Sequence, residues 1–193
     1  VGHVRVSSQV RIYPDTVGAL KRLQKQYLLF IVTHQPGVAA GIISGKDADA
    51  VNQYLVEELD RNGVKISGVY CCPHARDENC ACIKPNPCFL KEAEKNHSVD
   101  LKASFVIGDH PNDVLLADNA GAYGIYVLTG HGKKHRREIP PERPVVRGIR
   151  EAVDWISAVR EMRRAMNVDP SVFERAAEVL KNGGIAAFPT ETV

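Results

Sequence analysis

Residues 104–113 read Ser-Phe-Val-Ile-Gly-Asp-His-Pro-Asn-Asp. Ser104–Gly108 has the pattern of a short buried strand, and the residues after it open a helix expected over Asn112–Ala120. The same alternation recurs on both sides. Tyr27–Thr33 (YLLFIVT), Gly68–Cys71 and Tyr123–Leu128 read as further strands. Between them, Thr16–Gln26 carries Val17, Leu20 and Leu23 at helical spacing, with Asp15 or Thr16 as N-cap. Lys46–Asn62 carries Ala50, Tyr54, Leu55 and Leu59 and stops at Gly63, and Pro87–Asn96 is a shorter helix. Alternating β and α units predict a three-layer α/β domain on a mainly parallel, Rossmann-like sheet.

Further along, Thr129–Pro144 breaks the pattern with Gly130, Gly132, three prolines and the basic run Lys133–Arg137, and reads as a loop. The basic run is a solvated surface or a binding patch. Gly148–Met166 reads as an amphipathic helix with Ile149, Val153, Ile156 and Val159 on one stripe. Asn167–Pro170 reads as a linker, Ser171–Asn182 as a helix, and Ile-Ala-Ala-Phe at 185–188 as a strand.

The 193 residues suffice for one domain with a core, or for a domain plus part of another. The 44% hydrophobic and 25% charged contents are those of a globular protein, and a net charge of +2 gives no push toward nucleic acid or membrane. No apolar run approaches the roughly 18 residues of a membrane span, and no secretory signal opens the chain. Five cysteines clustered between Cys71 and Cys88 argue against a disulfide framework and for a reducing cytoplasm with bound metal. The chain opens on Val1 and stops at Val193 inside a strand-and-turn pattern, so both ends are expected to be internal to a longer protein.

The cysteine segment, residues 72–84, reads Cys-Pro-His-Ala-Arg-Asp-Glu-Asn-Cys-Ala-Cys-Ile-Lys. Cys72, His74, Cys80 and Cys82 are the ligand types of a closed, structural Zn²⁺ site. A zinc ribbon that binds nucleic acid is the alternative, but it calls for a second knuckle and a basic surround. Cys71 and Cys88 read as plain buried thiols.

Three pieces follow apparent strands, where open α/β sheets place their ligands. Thr33-His34-Gln35-Pro36-Gly37 offers a hydroxyl and backbone amides to a phosphate, or is an ordinary polar turn. Lys84-Pro85 offers a cation. Asp109 and Asp113, four residues apart at a strand end and a helix start, suit Mg²⁺, although Asp113 also suits the helix N-terminus alone.

In this order the three pieces resemble motifs two, three and four of the haloacid dehalogenase superfamily. VTHQPGVAAG is similar to that family's Val-Thr-Asn-Gln-Ser-Gly-Ile-Ala-Arg-Gly. Cys-Pro-His followed by Cys-x-Cys-x-Lys-Pro resembles the zinc loop of its heptose-bisphosphate phosphatases, a loop that histidinol phosphatases share. The resemblance spans about residues 2–132. It implies a Mg²⁺-dependent phosphomonoesterase that works through an aspartyl-phosphate on a small phosphorylated substrate, such as a sugar bisphosphate or histidinol phosphate. By motif, Thr33, His34, Gln35 and Lys84 would face substrate, and Lys84 would also hold the nucleophile. Asp109 would bind Mg²⁺, and Asp113 would join the metal shell through water or order the loop.

The departures carry expectations too. The family's Asp-x-Asp motif one is absent, so the nucleophile, the general acid and their strand are expected upstream of Val1. His34, Ala40 and Ile83 replace an asparagine and two arginines that contact substrate in the family, which leaves open a non-catalytic, zinc-stabilised module. Residues 176–193, AAEVLKNGGIAAFPTETV, resemble the opening of threonylcarbamoyl-adenylate synthase domains. The expected organisation is a phosphatase-like domain over 1–147, a helix and linker over 148–170, and the start of a synthase-like domain over 171–193.

Overall fold

The structure, a computed structural model, describes residues 4–166. The expected Ser171–Asn182 helix, the 185–188 strand and the whole synthase-like stretch lie outside the described residues. In chain order the elements are α1 (Thr16–Leu23), β1 (Phe30–His34), α2 (Gly45–Arg61), β2 (Gly68–Cys72), α3 (Cys88–His97) and β3 (Phe105–Gly108). They continue with α4 (Pro111–Ala120), β4 (Tyr123–Val127), α5 (Gly132–His135), β5 (Val145–Val146) and α6 (Ile149–Met166). This is the expected α/β alternation, and every strand pairing is parallel.

The sheet comes in two pieces, as the lack of a central motif-one strand implies. β1 pairs with β2, placing His34 opposite Cys72, while β3, β4 and β5 form a separate sheet in that order. Among the described residues no strand bonds β1 to β3, so each keeps one edge open.

The core explains the helix stripes. Ile125 and Val127 project from β4 against Ala19 and Leu23 of α1 and Ala152, Val153 and Ile156 of α6. On the other face, Tyr126 packs with Val114 of α4 and with Ile139. This alternation along β4 is what period-2 geometry requires of a strand covered on both sides.

Boundaries differ where backbone groups are already engaged. β1 begins at Phe30 rather than Tyr27, because the amides of Gln26 and Tyr27 bond back to the Leu23 carbonyl at 3.0 and 2.9 Å and close the end of α1. Asp15 stands at the N-cap of α1, but its side chain makes no capping bond. Ser44 caps α2, its hydroxyl accepting from the Asp47 amide at 3.1 Å. The loop expected over Thr129–Pro144 holds the single turn α5 and a 3₁₀ turn at Arg136–Glu138, and β5 follows it. Among the described residues no helix is long and apolar enough to cross a membrane.

Candidate functional site

Parallel strands bring their C-terminal ends to one edge, and the predicted residues gather there. Gly108 ends β3, Asp109 and His110 make the turn, and Pro111 opens α4 at the position that suits its fixed φ. His110 caps α4, its Nδ1 accepting from the Asn112 amide at 3.2 Å. Burial pushes the His110 imidazole down from its ordinary range, which favours the neutral, accepting ring that this cap requires.

Asp113, 6% exposed, is the buried charged residue among the described residues. Its Oδ2 accepts from the His110 amide at 3.1 Å, and its Oδ1 accepts from Lys84 Nζ at 2.6 Å. A β-carbon on Gly108 would stand 2.3 Å from that carboxylate, so glycine is what lets it lie against the strand end. Lys84 also reaches the Val32 carbonyl of β1 at 3.5 Å and thereby bridges the two sheet pieces. Both Asp113 oxygens are thus engaged by the protein.

Asp109 is placed differently. Its side chain is 34% exposed, and its Oδ2 accepts from the His131 amide at 2.7 Å. No described residue engages Oδ1. Of the two carboxylates read from the sequence, Asp109 is the one with an oxygen left for a cation. An oxygen donor of this type fits Mg²⁺, which commonly takes one or two carboxylates and completes its shell with water and phosphate.

Thr33 sits at the end of β1 with no hydroxyl partner among the described residues. Its neighbours are already tied: His34 Nε2 lies 2.8 Å from the His74 carbonyl, and Gln35 Nε2 donates to Asn52 Oδ1 at 3.1 Å. The geometry thus gives both side chains partners within the protein.

Beyond β2 the cysteine loop converges. The ligand atoms of Cys72, His74, Cys80 and Cys82 all lie within 4.8 Å of one another. Cys82 Sγ is 2.8 Å from Cys72 Sγ, 3.0 Å from Cys80 Sγ and 3.5 Å from His74 Nδ1. Bonds of about 2.3 Å at a tetrahedral angle would put zinc-bound sulfurs about 3.8 Å apart, so the tightest pair, Cys72 and Cys82, need open by about 1 Å to hold the ion. Three thiols and an imidazole are the donor set that zinc prefers, and the residues fit. Burial and the neighbouring sulfurs push the Cys82 thiol up, while the hydrogen bond from Cys82 pulls Cys80 down. Cys71 and Cys88 are thiols outside the cluster, but the expected burial does not hold: Cys71 is half-buried, and Cys88, at the start of α3, is exposed.

The loop is sewn to the site on both sides. The Gln35 amide donates to the Cys72 carbonyl at 2.8 Å, and Asn86 Nδ2 to the Cys80 carbonyl at 3.2 Å. Asn112 and Asn119 of α4 donate to the carbonyls of Lys84 and Pro85 at 3.2 and 2.9 Å. Lys84 is therefore held by its backbone as well as by its charge.

Sequence reasoning missed the segment after β4. Gly130 has a φ of +54°, the Tyr126 hydroxyl donates to the Gly132 carbonyl at 3.0 Å, and the Gly130 amide donates to the Tyr13 hydroxyl at 3.2 Å. The one available signal was the pair of glycines directly after a strand. In the basic run, His135 is half-buried with its ring 4.8 Å from that of His110 and its Nδ1 2.5 Å from Glu138 Oε1. The lysines and arginines of the run are exposed.

Comparison with known proteins follows the same outline. A family model described as HAD-hydrolase-like matches residues 81–152. A D-glycero-beta-D-manno-heptose-1,7-bisphosphate 7-phosphatase of Helicobacter pylori is 36% identical over 131 residues, covering 67% of this chain and 73% of that protein. A probable D-glycero-D-manno-heptose-1,7-bisphosphate 7-phosphatase of Thermoplasma acidophilum is 43% identical over 114 residues, covering 58% and 71%. The crystal structure of D,D-heptose 1,7-bisphosphate phosphatase from B. bronchiseptica, complexed with magnesium and phosphate, superposes with a TM-score of 0.73 at 25% identity. That match covers 80% of this chain and 88% of the other.

Proposed function

The chain belongs to the haloacid dehalogenase-like hydrolases, and on that premise we propose that its parent protein hydrolyses a phosphomonoester of a sugar bisphosphate such as D-glycero-D-manno-heptose 1,7-bisphosphate. The observation that carries this reading is the arrangement at the strand ends. Lys84 is held between Val32 and the buried Asp113, and Asp109, at the end of β3, keeps one oxygen uncommitted among the described residues.

In this reading Lys84 Nζ places positive charge where the phosphoryl group and its attacking carboxylate meet. Asp113 fixes that ammonium in place. Thr33 offers its hydroxyl to a phosphoryl oxygen from the end of β1. Mg²⁺ bound at Asp109 would neutralise charge on the phosphoryl oxygens. The attacking and proton-donating carboxylates of motif one have no counterpart among the described residues, and the proposal places them before Val1. The open edges of β1 and β3 support a strand between them. The zinc loop stands apart from the chemistry, because four protein ligands leave zinc no open position for water. Its work is to hold Lys84 against the sheet.

Two coarser readings go with this one. Three cysteines gathered as zinc ligands and two thiols outside the cluster favour a reducing compartment, and we place the protein in the cytoplasm. The run 176–193 supports a fused synthase-like domain on its resemblance alone.

The test is turnover of a sugar bisphosphate by the complete protein, with histidinol phosphate alongside. Mg²⁺-dependent release of inorganic phosphate is expected, and Asp109→Asn should lower it at least about a hundredfold, the loss typical of a removed charge-stabilising group. Absence of turnover in the wild type would favour the non-catalytic module, and full activity in Asp109→Asn would remove Asp109 from the site.

A further inference from the structure

We propose that Tyr126 and the turn Thr129–Gly132 are positioning elements for the Asp109 carboxylate, holding Oδ2 on the protein so that Oδ1 is left to a divalent cation. The inference rests on the reading of Asp109 as the cation's ligand and adds residues that no motif of the resemblance includes.

The argument begins inside the fold. Tyr126 is fully buried on β4, and a buried phenol needs a hydrogen-bond partner. It finds one in the Gly132 carbonyl, 3.0 Å away. Burial and the nearby Asp109 charge both push this phenol up, so it remains a donor at neutral pH. The Gly132 amide in turn donates to the Thr129 carbonyl at 2.8 Å and closes the turn. Between those two anchors the backbone meets the carboxylate. A β-carbon on Gly130 would stand 2.0 Å from Asp109 Oδ2, so only glycine allows the approach. The next amide, that of His131, donates to the same oxygen at 2.7 Å. Tyr13, from the segment before α1, receives the Gly130 amide at 3.2 Å and braces the turn a second time.

Among the described residues, the whole grip on Asp109 therefore falls on Oδ2. A carboxylate fixed by one oxygen has already given up its rotamer freedom, and a cation that binds the other oxygen need not supply that ordering. Tyr126 acts through the turn and touches neither cation nor substrate.

The experiment titrates Mn²⁺, an EPR-visible probe, into the complete zinc-loaded protein. Tyr126→Phe keeps the ring and loses the hydroxyl. It should weaken Mn²⁺ binding about two- to tenfold, the worth of one neutral hydrogen bond, with the zinc content unchanged. Gly130→Ala should weaken it by more than about tenfold. Asp109→Asn tests the reading underneath. If Asp109→Asn leaves Mn²⁺ binding intact, Asp109 is not the ligand, and both readings fall. If Asp109→Asn abolishes binding while Tyr126→Phe and Gly130→Ala bind as the wild type does, this inference alone is overturned. Should Gly130→Ala lose its zinc and fail to fold, Tyr126→Phe decides by itself.

Discussion

Asp113 shows how one buried charge is made tolerable. Taking a carboxylate out of water costs several kcal/mol unless its oxygens are matched. Here the Lys84 ammonium takes one oxygen and the His110 amide the other, with side-chain exposures of 19% for Lys84 and 9% for Asp113. Asp113→Ala should therefore destabilise the protein by about 3–5 kcal/mol, because it strands a part-buried ammonium. Urea denaturation measures this, and an unchanged midpoint would show that the pair does not hold the strand ends together. Lys84→Met leaves the carboxylate with only its amide partner, and it should be destabilising in the same range. The Asp-x-x-x-Asp spacing was enough to place both carboxylates at the strand end and in the first helical turn. It was not enough to divide their work. That division depends on Lys84, 29 residues before Asp113, and on His131, 22 residues after Asp109. Contacts at such separations leave no mark in local spacing.

At the scale of elements, the zinc loop was legible because its ligands are local: four donors within residues 72–82 converge without help from a distant strand. Helices α1, α2 and α6 were legible for a similar reason, since each keeps its apolar stripe over two turns or more. The two-residue β5 and the four-residue α5 carry no period at all, and the turn that grips Asp109 was hidden with them inside an apparent loop. The loop's physical role yields a pair of contrasting predictions. Cys80→Ser should release the metal, and amide exchange should then quicken across residues 73–86. Lys84→Ala should keep one zinc per chain, since its side chain contacts Asp113 and Val32 rather than the sulfurs. Equal zinc loss in both variants would contradict the separation of staple from site. Acid should act as Cys80→Ser does. The thiols bind metal only as thiolates, so protons compete for the ligands as pH falls and zinc retention should decline with it.

For the whole molecule, the decisive property is a parallel sheet in two pieces. Parallel strands are stable when covered on both faces and paired on both edges. β4 meets those terms, with Gly124 through Val127 buried and β3 and β5 on either side. β1 and β3 do not: every residue of each is only half-buried, and each has one neighbour among the described residues. The Lys84 contact to Val32 and the α1–α6 core link the pieces, but neither replaces a ladder of backbone bonds. The resemblance implies a central motif-one strand that these residues lack, and hence two unpaired edges; that β1 and β3 carry those edges appears only in the pairing of the sheet. Hydrogen exchange on the 193-residue chain should accordingly rank β4 amides as slowest, with those of β1 and β3 faster, since open edges exchange through local fluctuations that a paired strand suppresses. If the proposed strand before Val1 fills the gap, the complete protein should slow the β1 and β3 amides selectively and leave β4 nearly unchanged. The same addition should bring activity: the complete protein should form an acid-stable phosphoenzyme with labelled substrate, and the 193-residue chain should form none. Uniform slowing across all strands would point to general stabilisation instead, and unchanged β1 and β3 rates would place the missing strand elsewhere.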